Sequence, residues 1–158
     1  MNYLSKVSEF HKTFDAPILE NPQIPSEERT NLRVSLLQEE LNELKQAISD
    51  GDLVEIADAF CDIQYVLSGA ILEFGMGNVF DEMFDEVQRS NMSKACSSVQ
   101  EAIETISHYK KKDGTESMYK QVGDKWVVYR ISDNKVLKSV NYSPADLKKT
   151  IENENKEV

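Results

Sequence analysis

Over the first ninety residues, apolar side chains recur every three or four positions, the spacing of a helix that buries one face. Leu4, Val7, Phe10 and Phe14 predict a helix over residues 1–14. Leu37, Leu41, Leu44 and Ile48 form the stripe of a second helix, and Ile56, Phe60, Ile63, Leu67 and Phe74 that of a third. Phe80, Met83, Phe84 and Val87 do the same for a fourth. Between the first two, Pro17, Pro22 and Pro25 forbid a helix and favour an extended strap. Ser26 is a suitable N-cap, with Glu27 and Glu28 in the favoured first turn. Gly51 breaks the chain between helices two and three, and Asp50 or Asp52 can cap the restart. So short a connection makes these helices antiparallel neighbours. Gly75-Met76-Gly77-Asn78 separates helices three and four.

The period changes beyond Ala95. Val99, Ala102, Ile103 and Ile106 predict a short helix, followed by a loop at Lys110–Gly114. Met118–Val122 and Trp126–Ile131 read as strands around Gly123-Asp124, with Lys135–Val140 as a third. Ser143-Pro144 would start a terminal helix as N-cap and N1. The expected fold is therefore an all-α core, an antiparallel helical bundle over residues 1–94. A small α/β appendage over residues 95–158 would pack on it.

Charge sharpens the division. The chain of 158 residues carries a net charge of −10. Residues 1–93 hold 18 acids against 6 bases and residues 94–158 hold 10 against 12, which marks a compositional boundary near Lys94. An acidic balance argues against nucleic acid as a partner. No apolar run reaches the roughly 18 residues of a membrane span. Two cysteines, Cys61 and Cys96, with no signal-peptide core in the first residues, predict a cytoplasmic protein without a disulfide framework.

The second and third helices carry the chemistry. Glu39, Glu40 and Glu43 are followed, after eleven intervening residues, by Glu55, Asp58 and Asp62. The three- and four-residue spacings put Glu40 with Glu43, and Glu55 with Asp58 and Asp62, on single helix faces. Acids on helices are usually a solvated face. Here, ten acids fall between Gln46 and Gln88 without one Lys, Arg or His. Like charges at helical spacing repel, and those beside a core stripe are partly desolvated as well. A hard cation would offset both, and Mg2+ is commonly held by carboxylates and substrate phosphates. Arg33 shares a face with Glu40 and is expected to pair with it, the alternative being a phosphate contact. Arg89, Asn91 and Lys94 bring the first cations after the acidic stretch. Their ordinary role is to oppose a helix C-terminal dipole, and the sharper one is to hold phosphate.

The pattern E-E-x-x-E followed by E-x-x-D resembles the all-α nucleoside triphosphate pyrophosphohydrolases. That group includes MazG, dimeric dUTPases, dCTPases and phosphoribosyl-ATP pyrophosphohydrolase. Three further blocks strengthen the resemblance to the phosphoribosyl-ATP pyrophosphohydrolase-like branch: Glu9–Phe14, Asp58–Val66 and Arg89–Lys94. The piece from Asn134 to Leu147 is similar to a tail seen in that branch. The resemblance implies Glu40, Glu43, Glu55 and Asp58 as ligands for Mg2+, with Mn2+ as a substitute. It implies Glu39, then Asp62, as the group that orients or deprotonates water. His11 would line a base pocket, with Arg89, Asn91 and Lys94 as further substrate contacts.

The expected activity is cleavage of a nucleoside triphosphate to monophosphate and pyrophosphate. The alternatives are phosphoribosyl-ATP pyrophosphohydrolase-like activity and a non-catalytic helical dimer that binds nucleotide or a partner. A homodimer or larger homo-oligomer is expected on two grounds. Ala59, Val66, Ala70 and Ile71 widen the apolar stripe of the third helix beyond what one neighbour buries, and the family's fold implies it too.

Overall fold

A computed structural model describes residues 3–154. The elements in order are α1 (Tyr3–Thr13), α2 (Glu27–Asp50), α3 (Leu53–Glu73), α4 (Phe80–Met92), α5 (Val99–Asp113), β1 (Ser117–Val122), β2 (Lys125–Arg130) and α6 (Leu147–Glu154). The protein is mostly helical with one small antiparallel sheet, as its periodicity predicts. Among the described residues, no helix is long and apolar enough to cross a membrane. Both cysteines are free thiols, Cys61 exposed and Cys96 buried. The chain divides into two compact units. One takes in residues 3–81 and 149–154; the other is Glu82–Lys148. This division falls ahead of the compositional boundary at Lys94.

The first unit is organised around the α2–α3 hairpin. Ser26 caps α2, its Oγ accepting from the Arg29 N–H at 3.4 Å. Gly51 closes α2 by donating to the carbonyls of Ala47 and Ile48. Asp52 caps α3, accepting from the N–H groups of Val54 and Glu55 at 2.9 and 3.2 Å. The helices run antiparallel: the start of α2 meets the end of α3, where Arg29 and Arg33 both donate to the carboxylate of Glu73.

Glu73 is only 1% exposed. Burial alone would raise its pKa, but hydrogen bonds from Arg33 and Arg29 outweigh that and hold it below the ordinary value. Arg33 therefore pairs with Glu73, and not with Glu40 as its place on α2 suggested. One guanidinium N–H of Arg33 also lies 3.2 Å from Nε2 of His11. Since Arg33 can only donate, Nε2 accepts, and Nδ1 carries the proton toward the Pro17 carbonyl at 2.8 Å. Gly69 makes room for this group. A Cβ there would stand 2.7 Å from Arg33 Nη1 and 3.0 Å from His11 Nε2.

The proline-containing segment does run extended and straps the end of α3. The N–H groups of Leu19 and Gln23 donate to the carbonyls of Leu72 and Phe74 at 3.1 and 3.0 Å, and the Leu72 carbonyl also accepts from the Gly75 N–H. Gly75 sits beneath the strap at φ 69°, where a Cβ would fall 1.9 Å from the Asn21 carbonyl oxygen.

The buried faces differ from those the apolar stripes predict. On α1, Val7 and His11 are buried while Phe10 and Phe14 are exposed. On α2, Arg33 and Ala47 are buried while Leu41 and Ile48 face outward. On α3, Ala59 and the continuous run Ser68–Glu73 are buried, whereas Phe60 is exposed. Phe84 of α4 is exposed and Met83 buried. Small residues at Ala47, Ala59 and Gly69 let helices approach closely, and an ion-pair network fills the space large apolar groups would take.

The second unit packs α5 against the β-hairpin. Its core is Cys96, Ala102, Val128 and Leu137, with Ile106, Tyr109 and Trp126 against it. The strands pair from Ser117↔Arg130 to Val122↔Lys125 across Gly123-Asp124. Three local expectations are corrected. Residues Lys110–Asp113 continue α5 instead of forming a loop, because Gly114 supplies the cap and lysines suit a helix C-terminus. Lys135–Val140 is no strand: only Val136 bridges to Tyr129, since the Ser139 N–H turns to the Lys94 carbonyl and the Val140 N–H to Thr105 Oγ1. Ser143-Pro144 does not begin α6. The Ser143 N–H donates to Ser93 Oγ, and the Pro144 carbonyl accepts from Arg89.

Two outcomes follow. Gly69→Ala drives a methyl group into the Arg33 guanidinium and costs about 1–3 kcal/mol in urea unfolding, more than an exposed helix substitution would. Because the folded pKa of Glu73 lies below its ordinary 4.5, its ion pairs stabilise the fold above that pH and are lost as pH falls through the lower value. Glu73→Gln therefore lowers the melting temperature at neutral pH, and the difference from wild type narrows in acid.

Candidate active site

Toward the turn of the hairpin, α2 and α3 bring their acids together. Glu40 feels the charges of Glu43, Asp62, Glu39 and Asp58. Glu39 and Glu43 are exposed on α2, Asp58 is exposed on α3, and Glu40 and Asp62 are half-buried. Among the described residues, Glu40 Oε2 is buried and without a hydrogen-bond partner. Burial first, then the neighbouring carboxylates, raise the pKa of Glu40 above its ordinary value. Burial and like charge thus both disfavour the ionised form of Glu40, a member of the sequence motif.

Glu55 lies in the first turn of α3, exposed, one turn before Asp58 and two before Asp62 on the same face. Among the described residues, no three His, Cys, Asp or Glu side chains are drawn into a ready-made set of metal ligands. The donor chemistry nonetheless fits a hard divalent cation. All the groups are carboxylates, and one oxygen is desolvated with nothing to offset its charge. Of the hairpin's three basic side chains, Lys45 forms no ion pair with these acids among the described residues. Arg29 and Arg33 are committed to Glu73 at the opposite end.

His11 is buried, and both of its ring nitrogens have partners, in Pro17 and Arg33. It is joined to the acidic hairpin through Arg33. Phe10, one residue earlier, is exposed instead and stacks on Phe14 at 4.4 Å and Tyr65 at 5.6 Å. Tyr3, Lys6, Val7, Phe60, Cys61, Gln64 and Tyr65 line an adjoining apolar recess of about 390 Å³.

Arg89, Asn91 and Lys94 belong to the second unit. Arg89 forms a two-pronged ion pair with Glu86 at 2.6 and 2.8 Å, and Glu86 also accepts from the Asp146 N–H. Lys94 Nζ donates to Asn91 Oδ1 at 2.7 Å. Two groups escaped the sequence pattern. Glu73 looks like one more acid in a stretch without bases, and its partners lie forty residues away. Lys138 stands 4.1 Å above the ring of Tyr142, a pairing that only folding brings about.

Residues 7–91 match the family model described as phosphoribosyl-ATP pyrophosphohydrolase, PRA-PH. That segment contains all six acids. The chain is also similar to an uncharacterized protein of Acanthamoeba polyphaga mimivirus, 29% identical across 82% of each chain.

A stability measurement tests the strain on Glu40. Its raised pKa means that the charged form is penalised in the folded protein above that pKa, and relieved as pH falls through it. Glu40→Gln in EDTA at neutral pH is expected to raise the melting temperature, with the gain shrinking toward pH 4.5. An unchanged or lower melting temperature at neutral pH contradicts the strain.

Proposed function

The chain belongs to the phosphoribosyl-ATP pyrophosphohydrolase family, within the all-α nucleoside triphosphate pyrophosphohydrolase superfamily, and on that premise we propose that it hydrolyses a nucleoside triphosphate to monophosphate and pyrophosphate with Mg2+. Family membership implies pyrophosphohydrolase-type activity, and the finer assignment is ours. The observation that carries it is the desolvated, unpartnered carboxylate of Glu40 among Glu39, Glu43, Asp58 and Asp62.

Glu40, Glu43, Glu55 and Asp58 would hold the metal, with Mn2+ as a substitute. When bound, such an ion neutralises phosphate oxygens and makes water more acidic. Glu39 accepts the proton of the attacking water, with Asp62 second in line. Water adds to the phosphorus at one end of the α–β bridge, and the bond from that phosphorus to the bridging oxygen breaks. Lys94 contacts phosphate and Asn91 a base or sugar edge. Arg89, engaged with Glu86 and Pro144, fixes the chain that follows Tyr142. His11 acts on the substrate side by holding α1 and its aromatic face against the hairpin. The cytoplasm, with its nucleotide pool and reduced thiols, suits both the reaction and the two free cysteines.

The active form is a homodimer or a larger homo-oligomer. Val34, Leu41 and Ile48 on α2, and Leu53, Phe60 and Leu67 on α3, repeat every seven residues, with exposures between 38% and 77%. Two such rows on one hairpin are the seams of a four-helix packing with a second copy. Light scattering at micromolar concentration is expected to give at least twice the mass of 18.0 kDa; a stable monomer overturns this.

A second reading, a non-catalytic dimer that binds nucleotide or a partner, draws on the absence of a ready-made ligand set among the described residues. Pyrophosphate release from a panel of nucleotides separates the two. Turnover is expected with Mg2+ and not in EDTA. Glu43→Gln and Asp58→Asn are each expected to lower it by at least about a hundredfold while leaving the melt unchanged or raised. Equal rates in EDTA, or in both variants, overturn the metal reading.

A further inference from the structure

The second unit contains a cationic group that the motif residues only begin. Lys94 follows α4, and Lys138 lies in the irregular chain after β2, forty-four residues on in sequence. Folding sets the Lys138 ammonium over the ring of Tyr142 and ties the backbone of Lys94 to the same segment. Lys138 Nζ stands 4.1 Å from the centre of the Tyr142 ring. The Ser139 N–H donates to the Lys94 carbonyl at 3.1 Å, which fixes the backbone beside Lys138 to the backbone of Lys94. The Tyr142 hydroxyl is held by Ser90 at 3.1 Å, and Lys94 Nζ by Asn91 at 2.7 Å. Ser90, Lys138 and Lys94 together hold the Tyr142 phenol below its ordinary pKa.

The arrangement contrasts with four ion-paired basic groups of the unit. Arg89 is paired with Glu86, Lys110 with Glu116, Lys125 with Asp124 and Arg130 with Asp133. Among the described residues, no carboxylate lies within ion-pair distance of Lys94 or Lys138. Two ammonium groups gathered at one phenol repel each other, and the fold spends a backbone hydrogen bond, a ring contact and an amide contact on keeping them there. An anion with several oxygens would relieve the repulsion and take up the free donors.

We propose that Lys94, Lys138 and the Tyr142 hydroxyl form a binding site for the oxyanions of a di- or triphosphate group, with Asn91 and Ser90 as positioning residues. The proposal extends the phosphate role given to Lys94 above and rests on that reading for its biological substrate. It adds two groups from the chain after the hairpin, which explains why that chain is clasped to α4 at Arg89, Ser90 and Ser93.

Isothermal titration of the full chain with inorganic pyrophosphate at low salt, without metal, tests it. Loss of either ammonium in Lys94→Met or Lys138→Met is expected to weaken binding about tenfold, and Tyr142→Phe by about threefold. Lys111→Met, an exposed lysine outside the group, is expected to bind as wild type does. On the unmodified protein, pyrophosphate is expected to shield Lys94 and Lys138 from amine acetylation, read by mass spectrometry, while Lys111 stays reactive. Wild-type affinity in both lysine variants, or no shielding of either amine, overturns the proposal. The two readings fail separately. Pyrophosphate bound through these lysines without any nucleotide turnover refutes the hydrolase and leaves this site standing. Nucleotide turnover by the unmodified protein with unchanged pyrophosphate affinity in both lysine variants does the reverse.

Discussion

The buried carboxylate of Glu73 is the constraint on which the first unit depends. A charge removed from water is costly unless it is paired and hydrogen-bonded. Arg29 and Arg33 meet that need, and in doing so they fix the start of α2 against the end of α3. Arg33 then reaches His11, whose other nitrogen holds Pro17, so α1 and the strap are tied to the same group. Gly69 exists in this fold to leave space for that guanidinium. Removing one partner leaves the others buried and unpaired, so the network fails as a unit.

The same pairing sets the electrostatics of the other end. Both hairpin arginines are committed to Glu73, and among the described residues Lys45 forms no ion pair with the acids around Glu40. The rigid end of the hairpin thus holds its charges in balance, and the acidic end carries an excess of one sign on a scaffold that cannot spread apart. The metal-dependent hydrolysis proposed above would draw on that excess, at the expense of stability without the metal.

The second unit distributes its charges differently. Arg89, Lys110, Lys125 and Arg130 are matched one to one with neighbouring acids, as on many solvated surfaces. Lys138 and Lys94 are held by contacts other than ion pairs: a ring face for Lys138 and an amide for Lys94. The clasp from Arg89, Ser90 and Ser93 to residues 142–144 keeps the two in one place. It also explains why Ser143-Pro144, a good local start for a helix, does not begin one: its backbone groups are already engaged with α4.

Helix number, the hairpin, the proline strap and the acid motif were all legible from residue spacing, because each rests on interactions within a few turns or on a break in periodicity. Ser26, Gly51 and Asp52 act as caps for the same local reason. The direction each helix faces was not legible. Apolar spacing chooses the greasiest stripe, and on α2 and α3 that stripe includes Leu41, Ile48 and Phe60, which are exposed. The face that is buried within the unit runs through Arg33, Ala47, Ala59 and Gly69. What decided it was the need to bury Glu73 with its arginines, an interaction across forty residues that periodicity cannot register. For the same reason the chain itself determined that Lys94 follows an acidic stretch, while only the tertiary structure decided that Lys138 and Tyr142 join it.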